Sequence, residues 1–259
     1  MSTLTPLASL PMYDWPEIRE DTDRFWQALA QELQVSGGLW RGEDYTVPWR
    51  DPSLVFSQTC GYPFTHALRG QVKLVATPHY AADGCDGPNY CSFLFAREKK
   101  ALPEFQRKIA AINGQDSMSG MLALKLAFAP FARQGKFFSG TIETGSHVAS
   151  LQAVQSGKAD VCAIDCVYVA LAKRYRPSLL SELHEIGRTP LVPGLPFITR
   201  VDDVRPIRES LMRVFANEAL AETRARVLLS GVSFLTDRDY DVILQREQEM
   251  EAQGGLRLA

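Results

Sequence analysis

Residues 144–174 read TGSHVASLQAVQSGKADVCAIDCVYVALAKR, and this short run encodes three elements. Ser146 is a favoured N-cap residue directly before an apolar pattern at helical spacing, and Gly157 ends that pattern. Residues 159–164 (ADVCAI) have the length and apolar character of a buried strand. A second helical pattern covers residues 166–174. The helix–strand–helix order predicts an α/β fold.

The same alternation continues on both sides of this run. Upstream lie four more apolar runs of strand length, separated by turns: SLVFSQ (53–58), QVKLVAT (71–77), YCSFLFA (90–96) and KIAAIN (108–113). Downstream, residues 205–253 read as three helices with breaks near Asn217 and at 231–233. Because strands that alternate with helices are typical of parallel sheets, we expect parallel sheets covered by helices.

Three loops share one chemical pattern. Each follows a predicted strand, combines glycine with small hydroxyl residues and precedes a predicted helix; they are 58–62 (QTCGY), 115–120 (QDSMSG) and 143–147 (ETGSH). The first turn of a helix has unpaired N–H groups and a partial positive charge, and hydroxyls add donors. The pattern predicts a site for a small anion, with Ser119 and Ser146 opening two of the helices. For either loop alone, an ordinary helix cap is the alternative interpretation.

Composition excludes several classes of function. The 259 residues contain 28 Lys and Arg against 30 Asp and Glu, for a formal net charge of −2, and show no basic run. We therefore predict no nucleic-acid partner.

Five cysteines and 4 histidines, without a Cys-x-x-Cys or His-Glu-x-x-His motif, predict neither a disulfide scaffold nor a structural zinc. No metal and no cofactor are expected, and Cys162 and Cys166 are predicted to be core residues.

The amino-terminal sequence predicts the compartment. MSTLTPLASLPMYDWPEIRE has no basic segment followed by a long apolar run, so it does not read as a signal peptide. No window approaches the roughly 20 apolar residues of a membrane span, and we predict no membrane insertion. As written, the chain is expected to be cytoplasmic; with a truncated start, it would be periplasmic.

The 144–174 run strongly resembles the second-lobe signature of phosphate/phosphonate-type periplasmic substrate-binding proteins, the solute receptors of ATP-driven importers. Residues 116–120 (DSMSG) resemble the anion loop of that family, and 60–63 (CGYP) is similar to its Gly–Tyr turn. Residues 231–240 (GVSFLTDRDY) resemble its closing helix. Residues 36–53 do not follow the pattern of that family. They form a short segment with Trp and Pro at the place where the family has a strand and a helix.

The resemblance implies the fold and its division. The expected architecture is a two-lobed α/β fold of the type 2 periplasmic-binding-protein kind, with a hinge and a ligand cleft between the lobes. The first lobe would comprise residues 1–92 plus 187–259, and the second residues 93–186.

The resemblance also implies eight ligand contacts and no catalytic residue. They are Tyr13, Tyr62, Ser117, Met118, Ser119, Ser146, His147 and Asp165. The residues at 117–119 and 146–147 would donate hydrogen bonds to an oxyanion, and Asp165 would accept one from a protonated oxygen or an amino group. The two tyrosines would close over the ligand. From the residues alone, Asp165 can equally be the cap of the next helix. We expect His147 to be dispensable for stability and, if it binds as a cation, to titrate near its ordinary pKa of about 6.5.

The implied function is that of a solute-binding protein, not an enzyme. It would capture a phosphate- or phosphonate-like ligand as a monomer and serve an ABC permease. Three alternatives stay open. A cytosolic enzyme on the same fold, of the menaquinone- or thiamine-precursor type, fits the lack of a signal peptide. A ferric-ion binder could use Tyr13, Tyr62, His147 and Asp165, although the sequence has no adjacent Tyr–Tyr pair. A ligand sensor that docks on a partner protein is the third.

Overall fold

The computed structural model describes residues 6–258 and divides them into two compact units. The first unit contains the residues up to Ala81 together with Pro193–Asp239. The second contains Ala82–Val192 and the residues from Tyr240 onward. Residues 1–5 and 259, the outer ends of the predicted first lobe, lie outside the described residues.

The strands alternate with helices along most of the chain. In order, the strands are β1 (Leu7–Ser9), β2 (Leu54–Gln58), β3 (Lys73–Tyr80), β4 (Cys85–Asp86), β5 (Asn89–Tyr90), β6 (Ser92–Ala96), β7 (Ile109–Ile112), β8 (Gly140–Glu143), β9 (Val161–Asp165), β10 (His184–Arg188), β11 (Val192–Pro193), β12 (Phe197–Thr199) and β13 (Leu229–Ser233). This alternation confirms the α/β class.

The helices cover the sheets. They are α1 (Arg19–Leu33), α2 (Val47–Arg50), α3 (Gly61–Thr65), α4 (Ala123–Phe128), α5 (His147–Gln155), α6 (Cys166–Tyr175), α7 (Arg205–Ala216), α8 (Ala221–Arg226) and α9 (Asp237–Ala252). A π-helical turn, Met118–Leu122, leads directly into α4. Over the described residues, no helix combines the length and the apolar character that a membrane crossing requires.

The sheet of the first unit has the order β1-β2-β12-β3-β13. β1 pairs with β2 in parallel, whereas β12 runs antiparallel to both β2 and β3. β2 and β3 therefore point the same way, and the carboxyl ends of β1, β2 and β3 share one edge of the sheet. The residues that follow these three strands are thereby brought to one place in the unit.

The core of the first unit is aromatic. Phe56 on β2 is fully buried, and its ring stacks 6.2 Å from Trp26 of α1 and lies 4.9 Å from Phe197 of β12. Phe25 lies 6.4 Å from Phe197. The apolar spacing along α1 thus turns one helix face onto the sheet.

The sheet of the second unit has the order β10-β6-β9-β7-β8. β7 is parallel to β8 on one side and to β9 on the other, while β6 is antiparallel to β9. The buried strand predicted at 159–164 is therefore the middle strand of this sheet. Its residues from Val161 to Asp165 are all buried.

The carboxyl-terminal part differs from the sequence-based expectation in two ways. Residues 231–233, expected to be a helix break, belong to β13, which pairs antiparallel with β3. The residues from Tyr240 onward group with the second unit rather than with the first. Two contacts hold them there: Lys125 bonds to Glu251 at 3.1 Å, and the Arg257 N–H donates to the Gly135 carbonyl at 2.9 Å.

Replacing Phe56 tests the aromatic core of the first unit. Phe56→Ala removes a fully buried ring, so we expect a loss of about 3–5 kcal/mol in the free energy of unfolding. Met212→Ala on α7 is the control: Met212 is 48% exposed, and its truncation should change stability by less than about 0.5 kcal/mol. Urea unfolding measures both. Equal losses in the two variants would contradict the assigned core.

Candidate functional site

Six of the eight predicted contacts lie at one edge of the sheet in the second unit. Because β7 pairs in parallel with β8 and β9, the carboxyl ends of the three strands meet there. Ile112 pairs with Glu143 at the ends of β7 and β8, and Asp165 is the last residue of β9. The loops that follow these strands carry the predicted residues Ser117, Met118, Ser119, Ser146, His147 and Asp165.

In the loop after β7, Ser117 is the N-cap of the π-helical turn Met118–Leu122. Its Oγ accepts a hydrogen bond from the Gly120 N–H at 3.0 Å, and its carbonyl accepts from the N–H of Leu122 at 2.9 Å. The expectation that Ser119 opens this helix is therefore wrong. The chain enters a wide π turn at Met118, which moves the cap two residues upstream and leaves Ser119 inside the turn.

Gly120 makes this turn possible. A Cβ at this position would lie 1.8 Å from Asn113 Oδ1, so the glycine leaves room for the asparagine side chain. Among the described residues, Asn113 Oδ1 is buried and has no hydrogen-bond partner. The loop thus contains a buried acceptor oxygen that no protein group satisfies.

The loop after β8 opens α5 as the sequence predicts. Ser146 is the N-cap, and its Oγ accepts from the Ala149 N–H at 3.1 Å. Gly145 adopts φ +83°, in the left-handed region that favours glycine. Thr144 fixes the loop to the neighbouring strand, because its Oγ1 donates to the Ile112 carbonyl at 2.9 Å.

His147 joins the two loops. Its Nε2 lies 3.0 Å from Ser119 Oγ, and its ring centroid lies 5.1 Å from that of Tyr168. The side chain is 8% exposed, and burial lowers the pKa of His147 to about 4. The imidazole is therefore neutral near pH 6.5, not titrating. The expectation that His147 is dispensable for stability does not fit a buried side chain that holds a hydrogen bond.

His147 Nδ1 is a second buried atom without a partner in the described part of the chain. A neutral imidazole has one N–H and one bare nitrogen. When Ser119 donates its hydroxyl hydrogen to Nε2, Nδ1 carries the N–H and becomes a donor. This tautomer suits an anionic partner at Nδ1.

Asp165 serves as the cap of α6. Its Oδ1 accepts from the N–H groups of Val167 at 2.7 Å and Tyr168 at 3.2 Å, and the residue is 2% exposed. One carboxylate oxygen is thus committed to the helix, as the capping interpretation of the sequence holds.

The remaining two predicted residues, Tyr13 and Tyr62, belong to the first unit. Tyr13 packs edge-on against Tyr80, with ring centroids 5.1 Å apart. Tyr62, in the short helix α3, stacks on His66 at 3.8 Å between ring centroids. These two tyrosines contact different neighbours.

Gln58 and Tyr80 are polar residues of the first unit that were not among the eight predicted contacts, although Gln58 begins the predicted loop 58–62. Gln58 Nε2 donates to the Tyr80 hydroxyl at 2.9 Å and to the Leu195 carbonyl at 3.1 Å. Together with Tyr13 they line a cavity of about 30 Å³, which has room for one or two water molecules. Gln58 and Tyr80 are the last residues of β2 and β3, which point the same way. A polar residue at the end of each predicted strand is the sequence feature that could have identified them.

The segment that departs from the resembled family covers the edge of the first sheet. The Trp40 N–H donates to the Ala8 carbonyl at 2.7 Å, and Trp49 is buried with its Nε1 donating to the Gln58 carbonyl at 3.2 Å. Trp40 also lines a cavity of about 250 Å³ with Tyr45 and Arg41. The two tryptophans therefore have separate roles.

The chemistry of the second unit's edge suits binding better than catalysis. The Ser119–His147 pair resembles a nucleophile and its base, but a base is normally oriented by a third group. Among the described residues no such group bonds Nδ1, and a pKa of about 4 makes His147 a weak base. Over the same residues, no cluster of three or more His, Cys, Asp or Glu is arranged to hold a metal ion.

Comparisons with known proteins identify the family and the fold. A family model for the periplasmic substrate-binding protein of phosphonate ABC transporters matches residues 51–240. Among curated proteins, no sequence matches the chain.

Solved structures share the fold. PhnD1 of Prochlorococcus marinus in complex with methylphosphonate has a TM-score of 0.76 and 14% identity, with 95% of this chain and 98% of that chain covered. A binding protein component of an ABC phosphonate transporter from Pseudomonas aeruginosa gives 0.73 and 16%, over 96% and 88% of the two chains. A Xanthomonas citri protein bound to ATP gives 0.69 and 14%, over 96% and 99%.

The position of the cap after β7 can be tested at Ser117. Ser117→Ala should cost about 1 kcal/mol of unfolding free energy, because the Gly120 N–H loses its acceptor. Ser117→Gly should cost only a few tenths of a kcal/mol, since glycine is tolerated at an N-cap. Urea unfolding compares the two variants. Equal or larger destabilisation by glycine would argue against the cap.

The neutral state of His147 predicts a pH dependence of stability. Because burial lowers its pKa to about 4 in the folded protein, the unfolded chain takes up the proton first as the pH falls. The contribution of His147 to the free energy of unfolding is fully present above about pH 6.5, the pKa of histidine in the unfolded chain. It decreases by up to about 3 kcal/mol as the pH falls from about 6.5 to about 4. His147→Asn lacks this contribution.

The difference in unfolding free energy between wild type and His147→Asn should therefore shrink across that pH range. Taking the difference removes the contribution of the carboxylates that both proteins share. Urea unfolding at several pH values measures this difference in free energy. A difference that stays constant with pH would show that the pKa of His147 is the same in the folded and unfolded chain.

Proposed function

The chain belongs to the family of periplasmic substrate-binding proteins of phosphonate ABC transporters, and we propose that it binds a small oxyanion with a phosphonate or phosphate group. The observation that carries the proposal is the Ser119–His147 hydrogen bond of 3.0 Å. It joins two loops that each open a helix at the same sheet edge. Two helix starts, hydroxyls and an imidazole are the groups that bind an oxyanion without a metal.

Both loops supply proposed hydrogen-bond donors to the ligand. Ser117 and Ser146 each begin a helix, and their hydroxyls accept from the N–H groups of Gly120 and Ala149. A helix start has more N–H donors than its cap can pair, which is the general condition for anion binding there. His147 would donate from Nδ1 while Ser119 donates to Nε2. The imidazole stays neutral, so its contribution is a directed hydrogen bond rather than a charge.

The other predicted contacts would act on the rest of the ligand. Asp165 lies at the end of β9 on the same sheet edge, and we retain it as a proposed acceptor for an amino group or a protonated ligand oxygen. We retain Tyr13 and Tyr62 as proposed contacts from the first unit. Gln58 and Tyr80, bonded to each other beside Tyr13, are added as candidates.

Family membership also supports the partner and the compartment. Proteins of this family deliver their ligand to the permease of an ABC transporter. We therefore propose that this chain acts in the periplasm and docks on such a permease. An enzyme on the same fold is disfavoured by the weak basicity of His147.

Ligand titration tests the proposed class. Isothermal titration with methylphosphonate, phosphate, sulfate and acetate should show binding of methylphosphonate or phosphate, with weaker or no binding of acetate. Folded protein that binds neither methylphosphonate nor phosphate would overturn the proposal.

The role of His147 is tested by one substitution and a matched control. His147→Asn removes the proposed Nδ1 donor, and a hydrogen bond to a charged group contributes about 1.5–3 kcal/mol, so affinity should fall roughly 10- to 150-fold. His184→Asn changes an exposed histidine of the same unit and should leave affinity unchanged. Circular dichroism verifies that both variants fold. Equal affinity in folded His147→Asn would remove His147 from the site.

A further inference from the structure

Three of the five cysteines converge in the second unit, next to the candidate site. Cys85 Sγ lies 3.5 Å from Cys166 Sγ, and Cys91 Sγ and Cys166 Cβ both lie beside Gly84, within 3 Å of where its Cβ would stand. Cys166 is the first residue of α6 and directly follows Asp165. All of these cysteines are free thiols. The proximity is not visible in the sequence, where residues 85 and 166 are far apart.

The fold holds this cluster together from two sides. The Cys166 N–H donates to the Cys91 carbonyl at 3.1 Å, which continues the antiparallel pairing of β9 with β6 by one residue. The Cys91 N–H donates to the Gly84 carbonyl at 3.0 Å, which brings the β4–β5 hairpin onto the same point. Backbone hydrogen bonds, rather than side-chain packing alone, therefore fix the positions of the thiols.

Gly84 permits the close approach of the hairpin. It adopts φ +92°, and a Cβ there would lie 2.8 Å from Cys166 Cβ and 2.9 Å from Cys91 Sγ. Any larger residue would push the hairpin away from the cysteines. The glycine thus keeps Cys85 within reach of Cys166.

The three thiols differ in access. Cys85 is half-exposed, whereas Cys91 and Cys166 are buried. Hydrogen bonding to Cys85 and burial also raise the pKa of Cys166 well above the ordinary range, so Cys166 is a poor first nucleophile toward a reagent in solution. A reagent from solution would therefore meet Cys85 first.

We propose that Cys85 and Cys166 form a disulfide by exchange with an external small-molecule or protein disulfide. The Cys85 thiolate attacks one sulfur of the external disulfide and releases one thiol, which leaves a mixed disulfide on Cys85. Cys166 then gives up its proton as it attacks the Cys85 sulfur of the mixed disulfide, and the second external sulfur leaves and takes up that proton as a thiol. Two electrons pass from the cysteine pair to the external disulfide, and the two protons end on the released thiols.

The compartment of the family favours this reaction. The chain belongs to a periplasmic family, and the bacterial periplasm is oxidising enough for disulfides to persist. A disulfide needs its sulfurs at about 2.05 Å, so the pair must close by roughly 1.5 Å from its present 3.5 Å. The new bond would tie the β4–β5 hairpin to the first residue of α6, beside the Asp165 cap.

Peptide mapping tests the proposal on the full chain. Reduced protein is incubated with oxidised glutathione, its free thiols are alkylated, and it is digested without reductant. We expect the number of free thiols to fall from five to three and a cross-linked peptide pair that contains Cys85 and Cys166. The wild-type map alone decides the result. Five remaining thiols, or a bond from Cys91 to either partner, would overturn the proposal.

Variants identify the entering thiol. Cys91→Ser should still form the bond, and Cys60→Ser, in the first unit, should form it at the wild-type rate. Cys85→Ser should leave Cys166 free. Oxidation of Cys166 in folded Cys85→Ser at the wild-type rate would contradict the order of steps.

Discussion

The parallel pairing of β7 with both β8 and β9 is the constraint on which the candidate site depends. Parallel strands must end at the same edge, so three loops that are separate in sequence become neighbours in space. Each loop then uses a serine or aspartate side chain to cap the helix it opens. Each cap accepts from one or two first-turn amides, and the general shortage of intrahelical acceptors at a helix start is the property that an anion would use.

A buried polar pair holds the site together without adding charge. Ser119 and His147 lie on different loops, and their hydrogen bond fixes the loops relative to each other within the second unit. Burial keeps the imidazole neutral, so the proposed binding does not require a buried cation when the ligand is absent. Two of the buried side-chain atoms that have no hydrogen-bond partner in the described chain, Asn113 Oδ1 and His147 Nδ1, belong to these loops. Such atoms are costly, and they concentrate where a ligand or water supplies the missing contact.

The sequence predicted the class of fold and the loops of the second unit because both depend on local patterns. The Gly145–Ser146 turn and the strand that ends at Asp165 follow from residue type and spacing. The cap at Ser117 could not be predicted, because a π turn differs from an α turn by one residue of hydrogen-bond spacing. Long-range contacts were also inaccessible. Neither the Gln58–Tyr80 hydrogen bond nor the proximity of Cys85 to Cys166 leaves a pattern in the linear sequence.

The segment at 36–53 shows how a short segment covers the edge of a sheet. Its Trp40 N–H bonds to β1, and its Trp49 indole bonds to the end of β2. Both hydrogen bonds satisfy backbone carbonyls, at Ala8 and at Gln58, that a neighbouring element would otherwise pair. The second of these holds the carboxyl end of β2, where the Gln58 side chain meets Tyr80. A short segment therefore suffices to hold the strand end that carries polar side chains, because a buried backbone carbonyl needs a donor and a side-chain N–H can supply it.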